Sequence, residues 1–591
     1  MSASIRGHPA PVESGGSATG SRWDDACAAA GAAARYASVT AELPDTTLAE
    51  DAAVCERPLF DVFAAVAAGQ PDRVAVDDGV VRLTYAELRD RALALGAHIA
   101  ARVPVDGLVG VLVPTTILCP VAWLACLAAR RPFVPLDPQM PPARNQTIVA
   151  EAGLAAVIVP TMTADLTDWL PAALPRITMQ SSEPAPPPLP PGLPPSKISM
   201  VVFTSGSTGR PRGIVPHERS HLRRAVDYRE ACNLGPGDRL LSLHPLPTSA
   251  GVRDVFAALL CGATLPLVDL RRDGLAGALT VLRDGSVAVC AMVPAVARAL
   301  MALDGVAEAL HGLRVIRLGG AVITGSDIAT LAPLLAPTAR ILVSFGMTEA
   351  GGALAQRLID PSQPVESGRV ALGTPAPGQT ISVEDTAGNQ VGPGETGELV
   401  IHGRYIALGH WVAGRLDPAA FPADPADPAS RRFRTGDLVQ LRDDGMLIPI
   451  GRADRQAKIN GVRIEPGDTE AALRGLPGVA DVAVLVHGDA EAPMLVGFVV
   501  PAHGKRAADL SAGSTMHDAS QFARGLRGAL ATLLPPQQVP ARIKLVPAIP
   551  LLPSLKPDLA ALRALLAADI TPGFFGGILA RLRRAGWPRD D

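Results

Sequence analysis

Residues 200–213 read MVVFTSGSTGRPRG, and this stretch decides both the fold and the chemistry expected of the chain. The apolar start predicts a β-strand that runs into a loop of glycines and hydroxyls ending at a cation. Glycines let backbone N–H groups converge on an anion, and hydroxyls add further donors. The loop differs from GxxxxGK(S/T), so it is not a Walker A site, and a plain Ser/Gly-rich surface loop is the alternative. We interpret it as a phosphate-binding loop with candidate residues Thr204, Ser205, Gly206, Ser207, Thr208, Gly209 and Arg212.

Outward from this loop, strand-like runs alternate with helical ones. Residues 74–76, 109–113 and 156–159 are strand-like, and residues 85–101 form an Ala/Leu-rich helical stretch. Such alternation predicts an α/β fold with largely parallel sheets. Residues 117–129 are apolar but too few to span a bilayer, so we expect a buried helix there.

The composition excludes several classes of protein. Of 591 residues, 48% are hydrophobic and 19% are charged, which supports a large core and excludes global disorder. A formal net charge of −3 gives no electrostatic footprint for nucleic acid. The seven cysteines are scattered without a CxxC pair, which indicates a reducing cytosol, and we interpret Cys119 and Cys126 as core thiols. Residues 1–16 lack the apolar core of a signal peptide, so we expect a cytoplasmic protein without a membrane span.

Six further motifs accompany the phosphate loop. They are residues 83–88 (LTYAEL), 133–138 (FVPLDP), 345–349 (FGMTE), 435–437 (TGD), 451–470 (GRADRQAKINGVRIEPGDTE) and 555–558 (LKPD). Their order resembles the superfamily of acyl-CoA synthetases, nonribosomal peptide synthetase adenylation domains and luciferases. The resemblance covers residues 58–565 and is closest to a stand-alone adenylation domain of the peptide-synthetase type. It implies ATP- and Mg²⁺-dependent activation of a small carboxylic acid as its acyl-AMP.

The resemblance also implies a domain organisation. We expect a large N-terminal α/β domain over residues 52–452 and a smaller, mobile α+β C-terminal domain over residues 453–570. Arg452 and Asp454 fall where the superfamily has the hinge between an adenylating pose and a thiol-transferring pose. Composition adds a disordered leader over residues 1–51 and a basic amphipathic tail over residues 571–591. For that tail, a solvated helix and a docking segment are both open.

The resemblance implies that several of these motifs contribute residues to ATP binding. Glu349 would bind Mg²⁺, Thr348 would donate to the α-phosphate, and Phe345 would lie against the adenine. An ordinary helix start is the alternative for Thr348 and Glu349, because threonine is a good N-cap. Asp437 would accept both ribose hydroxyls, with a turn residue as its alternative. The remaining ATP-binding candidates are Gly319, Gly320, Ala321, Gly346 and Arg452.

Lys556 would reach the α-phosphate and the acyl carboxylate in the adenylating pose. Two features depart from the superfamily pattern. Arg212 ends the phosphate loop where lysine is usual, which keeps the charge but alters its reach. Leu555 replaces a usual glycine, and Pro557 restricts the backbone of the lysine to extended conformations.

The acyl pocket is assigned by position. Amino-acid-activating members carry an aspartate for the α-ammonium where this chain has Ser249, so ordinary amino acids are disfavoured. Arg253 could pair with a second acid group of the substrate, or with the neighbouring Asp254 or solvent. The candidate lining residues are Ser249, Ala250, Arg253, Ala291, Ile316, Leu318, Ser344, Gly352 and Ala353.

The acyl acceptor is expected to be a thiol supplied in trans. We find no GxxS-type phosphopantetheine site in the sequence, and residues 451–470 resemble the branch that serves carrier proteins. The phosphopantetheine of a carrier protein is therefore favoured, with coenzyme A as the alternative. A non-catalytic relative and a ligase with a non-thiol nucleophile are the other hypotheses.

Overall fold

In this computed structural model the described residues are 57–160, 164–179, 198–205, 211–284, 286–376, 379–425, 427–453, 457–459, 462–464, 466–488, 494–502, 516–534, 538–552 and 555–568. Several predictions fall outside them: the leader, the basic tail, Asp454, and the loop residues Gly206, Ser207, Thr208 and Gly209.

Helices and strands alternate along the first half of the chain, as the sequence predicts. The helices are α1 (Leu59–Gly69), α2 (Tyr85–Arg102), α3 (Leu118–Ala128), α4 (Pro142–Ala152), α5 (Ala164–Thr167), α6 (Glu218–Cys232), α7 (Ser249–Leu260), α8 (Leu270–Arg283), α9 (Pro294–Met301), α10 (Val306–Leu310), α11 (Gly325–Leu331), α12 (Pro466–Arg474), α13 (Met516–Leu533) and α14 (Leu559–Ala568), with a 3₁₀ turn at Ala332–Leu334.

The strands fall into seven sheets within the described residues. They are β1 (Val74–Asp77), β2 (Arg82–Thr84), β3 (Val109–Leu112), β4 (Phe133–Leu136), β5 (Ala156–Val159), β6 (Arg176–Thr178), β7 (Val202–Ser205), β8 (Pro211–Val215), β9 (Leu240–Ser242), β10 (Leu265–Pro266), β11 (Val289–Met292), β12 (Val315–Gly319), β13 (Arg340–Met347), β14 (Gly352–Ile359), β15 (Thr374–Pro375), β16 (Thr380–Glu384), β17 (Thr396–Gly403), β18 (Gly409–Val412), β19 (Arg415–Asp417), β20 (Arg431–Leu441), β21 (Leu447–Arg452), β22 (Ala457–Ile459), β23 (Val462–Ile464), β24 (Val479–His487), β25 (Met494–Pro501) and β26 (Arg542–Leu545).

Two of these sheets are built from parallel strands. The order β4-β3-β5-β6 is parallel throughout. In the order β15-β14-β13-β12-β11-β9, strands β9, β11, β12 and β13 are parallel, while β14 and β15 are antiparallel. The carboxyl ends of parallel strands meet at one edge of a sheet, where α/β proteins bind their ligands. This arrangement confirms the predicted α/β class.

The remaining sheets are mostly antiparallel, which the alternation of helices and strands did not predict. The orders β19-β18-β8-β7 and β16-β17-β20-β21 are antiparallel, and short connections join several neighbouring strands. A separate sheet, β24-β25-β26, packs with α12, α13 and α14. This last group is the expected α+β unit, whose first and last residues stay predictions.

The motif at residues 83–88 (LTYAEL) contributes to the core of the large domain. Thr84 caps α2, and Thr84 and Glu87 complete a capping box, so the helix begins at Tyr85. The buried Tyr85 hydroxyl donates to the backbone oxygen of Ala263 at 2.8 Å. The motif is therefore explained by packing, with no ligand required.

The apolar run at residues 117–129 forms the buried helix that the sequence predicts. Ten of the eleven residues of α3 are buried, and Trp123 stacks on Phe133 at 5.8 Å. Cys119 and Cys126 lie in this core, and burial raises the pKa of both thiols. Among the described residues, no helix is both long and apolar enough to cross a bilayer.

Candidate active site

The phosphate loop is carried by the hairpin of β7 and β8. Thr204 lies opposite Arg212, and its Oγ1 donates to the backbone oxygen of Arg212 at 3.4 Å. Strand β18 extends the hairpin, and a Cβ at Gly213 would come within 2.7 Å of Trp411. The predicted strand before the loop is confirmed. Ser205 ends β7, and Arg212 is exposed at the start of β8.

Strand β13 ends in a turn that carries Thr348 and Glu349. A β-bulge separates Phe345 from Gly346, and a Cβ at Gly346 would lie 2.1 Å from the carbonyl oxygen of Gly352. Residues 348–350 form a turn, so the alternative in which Thr348 caps a helix is wrong. The backbone oxygen of Glu349 accepts from Ala407 at 2.8 Å, which fixes the turn and leaves the half-buried carboxylate side chain for other partners.

Asp437 lies within β20, directly opposite Arg452 of β21. Its Oδ1 is 3.3 Å from Arg452 Nη1, and its backbone N–H donates to Thr435 Oγ1 at 3.0 Å. Burial raises the pKa of Asp437 to about 6, although Arg452 and Lys556 both lower it, and Glu349 raises it further. The carboxylate is therefore held in a strand, partly out of water, within electrostatic reach of Lys556 and Glu349.

The end of β12 exposes backbone at the same sheet edge. Gly319 is the last residue of the strand, and a Cβ there would lie 2.6 Å from the carbonyl oxygen of Ser344. Gly320 follows with a φ of +82°, in the region that favours glycine, and both Gly320 and Ala321 are exposed. A flat ring could approach this backbone without meeting a side chain.

Lys556 stands exposed on a tight loop of the small domain. The backbone N–H of Leu552 donates to the backbone oxygen of Lys556 at 2.6 Å, and Leu551 forms an isolated antiparallel β-bridge with Pro557. Leu555 has a φ of +60°, which leucine rarely adopts, and its side chain packs against the core cluster of the large domain that contains Leu318. The ion pair of Arg369 with Asp468 at 2.7 Å also joins the two domains. In this structure the charge of Lys556 acts on Asp437 of the large domain.

The residues near Glu349 fit a magnesium ion held mainly by a nucleotide. Within the described ranges, no group of three or more His, Cys, Asp or Glu could hold a metal by itself. Mg²⁺ commonly uses one or two carboxylates together with substrate phosphates and water. The charge of Glu349 acts on both Asp437 and His410, so this carboxylate faces the space between them.

His410 belongs to this region but carried no sequence signal that we recognised. It lies on β18, and its ring is 5.1 Å from Phe421. Burial lowers its pKa, Arg212 lowers it further, and Glu349 raises it. Within the part of the chain that the structure describes, its buried Nε2 has no hydrogen-bond partner.

The first turn of α7 carries Ser249, Ala250 and Arg253. Thr248 caps the helix by accepting from the Gly251 N–H, and Ser249 and Ala250 are half-buried. Arg253 donates twice to Asp254 Oδ1, at 3.0 and 2.8 Å. Of the alternatives open for Arg253, the pairing with Asp254 is the one present.

Asp254 is the centre of a buried polar network. It accepts from the Tyr228 hydroxyl at 2.6 Å and from Ser242 Oγ at 2.7 Å, and its Oδ2 is 2.8 Å from His244 Nδ1. Burial alone would raise the pKa of Asp254, but Arg253 and His244 hold it well below its usual range. Asp254 therefore stays ionised and fixes the side chains around it.

The predicted acyl-pocket residues of the parallel sheet lie on two different faces. Ala291 is in register with Ser242 and Arg317, and Ser344 is in register with Gly319, so these residues face α6 and α7. Residues on neighbouring positions of a strand point to opposite faces. Ile316 and Leu318 therefore point away and lie fully buried in the cluster that packs against α8 to α11. Their assignment to the pocket is corrected: Arg317, between them, faces the pocket side.

Gly352 and Ala353 begin β14 beside Arg224. A Cβ at Gly352 would lie 2.5 Å from Arg224 Cδ, and its φ of +138° also favours glycine. The backbone oxygen of Ala353 accepts from Arg224 Nη1 at 2.8 Å. Arg224 and Arg317 are thus two site residues that sequence reasoning missed. The two-residue period of β12 could have identified Arg317.

The comparisons with known proteins agree with this geometry. Residues 63–411 match the AMP-binding enzyme family, and residues 468–556 match the AMP-binding enzyme C-terminal domain. The chain is 32% identical over 523 residues to a probable non-canonical nonribosomal peptide synthetase, CymA, of Salinispora arenicola, covering 86% of this chain and 6% of that protein. It is 32% identical over 534 residues to the phenyloxazoline synthase MbtB of Mycobacterium tuberculosis, covering 88% of this chain and 35% of that protein.

Solved structures give the same fold. NpsA of Klebsiella oxytoca, in complex with 3-hydroxyanthranilyl-AMSN, has a TM-score of 0.69 at 22% identity and covers 86% of this chain and 99% of that chain. A four-domain nonribosomal peptide synthetase bound to AMP and glycine has a TM-score of 0.71 at 25% identity. The match covers 86% of this chain and 36% of that chain. The chain spans only a part of CymA and of MbtB, and it belongs to the AMP-binding enzyme family.

Proposed function

We propose that the enzyme converts a small carboxylic acid and ATP into an acyl-AMP and then transfers the acyl group to the phosphopantetheine thiol of a carrier protein. The observation that carries this proposal is the convergence of Glu349, Asp437 and Lys556, from three parts of the chain, on one electrostatic site. Glu349 follows strand β13 of the parallel sheet, and its charge also acts on His410, which pairs with Ile214 in the phosphate-loop hairpin.

The nucleotide would be held by backbone and charge together. Asp437 would accept the ribose hydroxyls, because a carboxylate offers two acceptor oxygens. Gly319, Gly320 and Ala321 would lie against the adenine on one side, with Phe345 on the other. Thr204 and Arg212 would contact the phosphates, together with the loop residues between them.

In the first step, an oxygen of the substrate carboxylate attacks the α-phosphorus of ATP. A new O–P bond forms, the bond to the bridging oxygen breaks, and pyrophosphate leaves with the electron pair. Lys556 and Thr348 would stabilise the charge that develops around the α-phosphate. Mg²⁺ bound at Glu349 would offset the charge of the leaving pyrophosphate.

In the second step, the thiol sulfur attacks the acyl carbon, and AMP leaves as the thioester forms. A hinge near Arg452 and Asp454 would carry Lys556 away and admit the phosphopantetheine arm. Peptide synthetases are among the similar proteins, and residues 451–470 resemble the branch that serves carrier proteins. Both observations support a carrier over coenzyme A, and a role in secondary-metabolite biosynthesis.

We propose a cytoplasmic location for this chemistry. The five cysteines within the described residues are buried and free, which suits a reducing compartment.

A pyrophosphate-exchange screen over amino, hydroxy, keto, dicarboxylic and aromatic acids tests the first step. We expect exchange with at least one small acid and weak exchange with ordinary α-amino acids. The preferred acid is then incubated with ATP and either coenzyme A or phosphopantetheinylated carriers from the same genome. A higher kcat/KM for coenzyme A than for every carrier would contradict the proposed acceptor and identify an acyl-CoA synthetase instead.

A further inference from the structure

Three arginines are buried behind the acyl pocket. Arg224 is 1% exposed, Arg317 is 3% exposed, and the side chain of Arg253 is 14% exposed. Burial of a guanidinium is unfavourable unless its charge and its N–H groups have partners. The partners of these three side chains therefore indicate what else the pocket binds.

Two of the arginines form ion pairs with carboxylates, while Arg317 forms none among the described residues, although the charge of Asp254 acts on it. Arg253 pairs with Asp254 at 2.8 Å, and Arg224 pairs with Asp227 at 2.6 Å. Asp227 is shared, because Arg223 also contacts it at 3.0 Å. Arg317 contacts Ser344 Oγ at 2.5 Å and the Tyr228 ring at 5.1 Å from its centroid. Among the described residues, no carboxylate forms an ion pair with Arg317.

Arg224 also has unused donors. Its Nη1 donates to the Ala353 oxygen, while its buried Nε and Nη2 have no hydrogen-bond partner within the described part of the chain. Arg224 packs directly against the backbone at Gly352, where a Cβ would lie only 2.5 Å from Arg224 Cδ. An anion that reached Nε or Nη2 of Arg224 would meet N–H groups that are already buried.

The charges of this region sum to an excess of one positive charge. Arg223, Arg224, Arg253 and Arg317 stand against Asp227, Glu230 and Asp254, which are the carboxylates bonded to them or to their partners. Burial, together with the charges of Arg224 and Arg253, lowers the pKa of His221 to about 3. The ring is therefore neutral and adds no charge to this region. A substrate ammonium would be repelled here, and an anion would be attracted.

We propose that Arg317, with Arg224 and Ser344, binds a second anionic group on the acid substrate, so that the substrate class is a short dianionic acid. The proposal rests on the proposed adenylation of a carboxylic acid. Arg317 lies two residues before the end of β12, about 6.6 Å along the strand from Gly319. A short carbon chain separates the two acid groups. Because guanidinium groups bind planar and tetrahedral oxyanions through paired N–H donors, the second group is a carboxylate, sulfonate or phosphonate.

The test compares each dianionic acid with a monoacid of similar size. Malonate, succinate, sulfoacetate and phosphonoacetate are assayed by pyrophosphate exchange against propionate, butyrate and β-alanine. We expect kcat/KM to favour at least one dianion by tenfold or more. Arg317→Met should lower that value about tenfold to a hundredfold, as the loss of one charged contact does, and Arg317→Lys should restore part of it. The preference for the dianion over the matched monoacid should fall by a similar factor.

Arg340→Met is the matched control, because Arg340 lies at the opposite end of β13 and pairs with Asp360 at 3.5 Å. It should leave the preference for the dianion unchanged. Calorimetric binding of the same acids to the wild type and to Arg317→Met gives a readout that requires no adenylation. Exchange that favours monoacids and does not respond to Arg317→Met would overturn the dianion subsite and leave adenylation intact. Dianion binding that depends on Arg317, without exchange by any acid, would support the subsite and overturn the proposed function.

Discussion

Asp437 is a carboxylate held mostly out of water, with Arg452 on one side and the charge of Lys556 nearby. Its pKa of about 6 lies above the ordinary value of 3.8. Between these two values the folded state binds more protons than the unfolded state, so the free energy of unfolding falls as pH rises from about 4 to 6. Above pH 6 the ionised group destabilises the free enzyme by roughly 3 kcal/mol.

We therefore expect Asp437→Asn to stabilise the free enzyme at pH 7.5, with a gain that becomes small near pH 4.5. The same change should raise KM for ATP, because the amide offers one acceptor oxygen where the carboxylate has two. Chemical denaturation at the two pH values and ATP kinetics check these results. Asp443→Asn, at an exposed site, is the control. An equal stability change at both pH values would contradict the argument from ionisation.

Glu349→Gln should reduce acyl-AMP formation most strongly when Mg²⁺ is below saturation, because an amide cannot offset the charge of the ion. The fold should persist, since the backbone oxygen of Glu349, and not its side chain, holds the turn through Ala407. Exchange assays over a Mg²⁺ titration measure the effect, with the exposed Glu308→Gln for comparison. Parallel Mg²⁺ curves for the wild type and Glu349→Gln would remove Glu349 from the metal site.

At the scale of an element, β12 shows what sequence reasoning could and could not predict. Gly319 ends the strand and Gly320 follows it with a positive φ, while the predicted contact of these glycines with the adenine stays a prediction. The assignment of Ile316 and Leu318 to the pocket was wrong by one residue, and in a strand such a slip exchanges the two faces. The side chains of Ile316 and Leu318 lie in the core, and the side chain of Arg317 lies on the face of β12 that contains the pocket. Its contacts with Tyr228 and Ser344 join distant parts of the chain, which no local pattern indicates.

Helix α7 depends on Asp254, which joins it to α6 through Tyr228 and to β9 through Ser242. Asp254→Asn would leave the buried Arg253 without its counter-charge. We expect a loss of about 3–5 kcal/mol in the free energy of unfolding, the usual effect of breaking a buried ion pair. Denaturant titration measures it. Asp273→Asn breaks the more exposed pair with Arg272 and should cost about 1 kcal/mol or less, so similar losses in both variants would contradict the assigned network.

At the scale of the whole molecule, the small domain contacts the large domain through Arg369–Asp468 and Arg298–Asp481. In this arrangement the charge of Lys556 acts on Asp437. Lys556→Ala should therefore block acyl-AMP formation and spare thioester formation from a supplied acyl-adenylate. Separate assays of the two half-reactions check this result, with Lys544→Ala on β26 as a lysine that bonds Leu565 instead. Equal losses in both half-reactions would show that the domains do not alternate.

The sequence predicted the overall architecture because the motifs are spaced along most of the chain and occur in the order of the superfamily. The motifs could not predict the antiparallel sheets around β8 and β20, because pairing partners such as Gly213 and Trp411 lie far apart in sequence. The sequence offered the pairing of Arg253 with Asp254 as one alternative, and the structure contains that pair; a contact of Arg253 with the substrate stays a prediction.

Leu555 has a consequence for the timing of the reaction. The positive φ of Leu555 costs about 1 kcal/mol that a glycine would avoid. Its side chain packs against the core cluster of the large domain that contains Leu318. A half-buried leucine contact contributes about 1 kcal/mol, enough to lengthen the dwell of the closed arrangement several-fold. Leu555→Gly should therefore speed the handover to the thiol in single-turnover assays and increase the hydrolytic leak of acyl-AMP. Residue 555 would set how long the enzyme holds its reactive intermediate before a thiol is admitted.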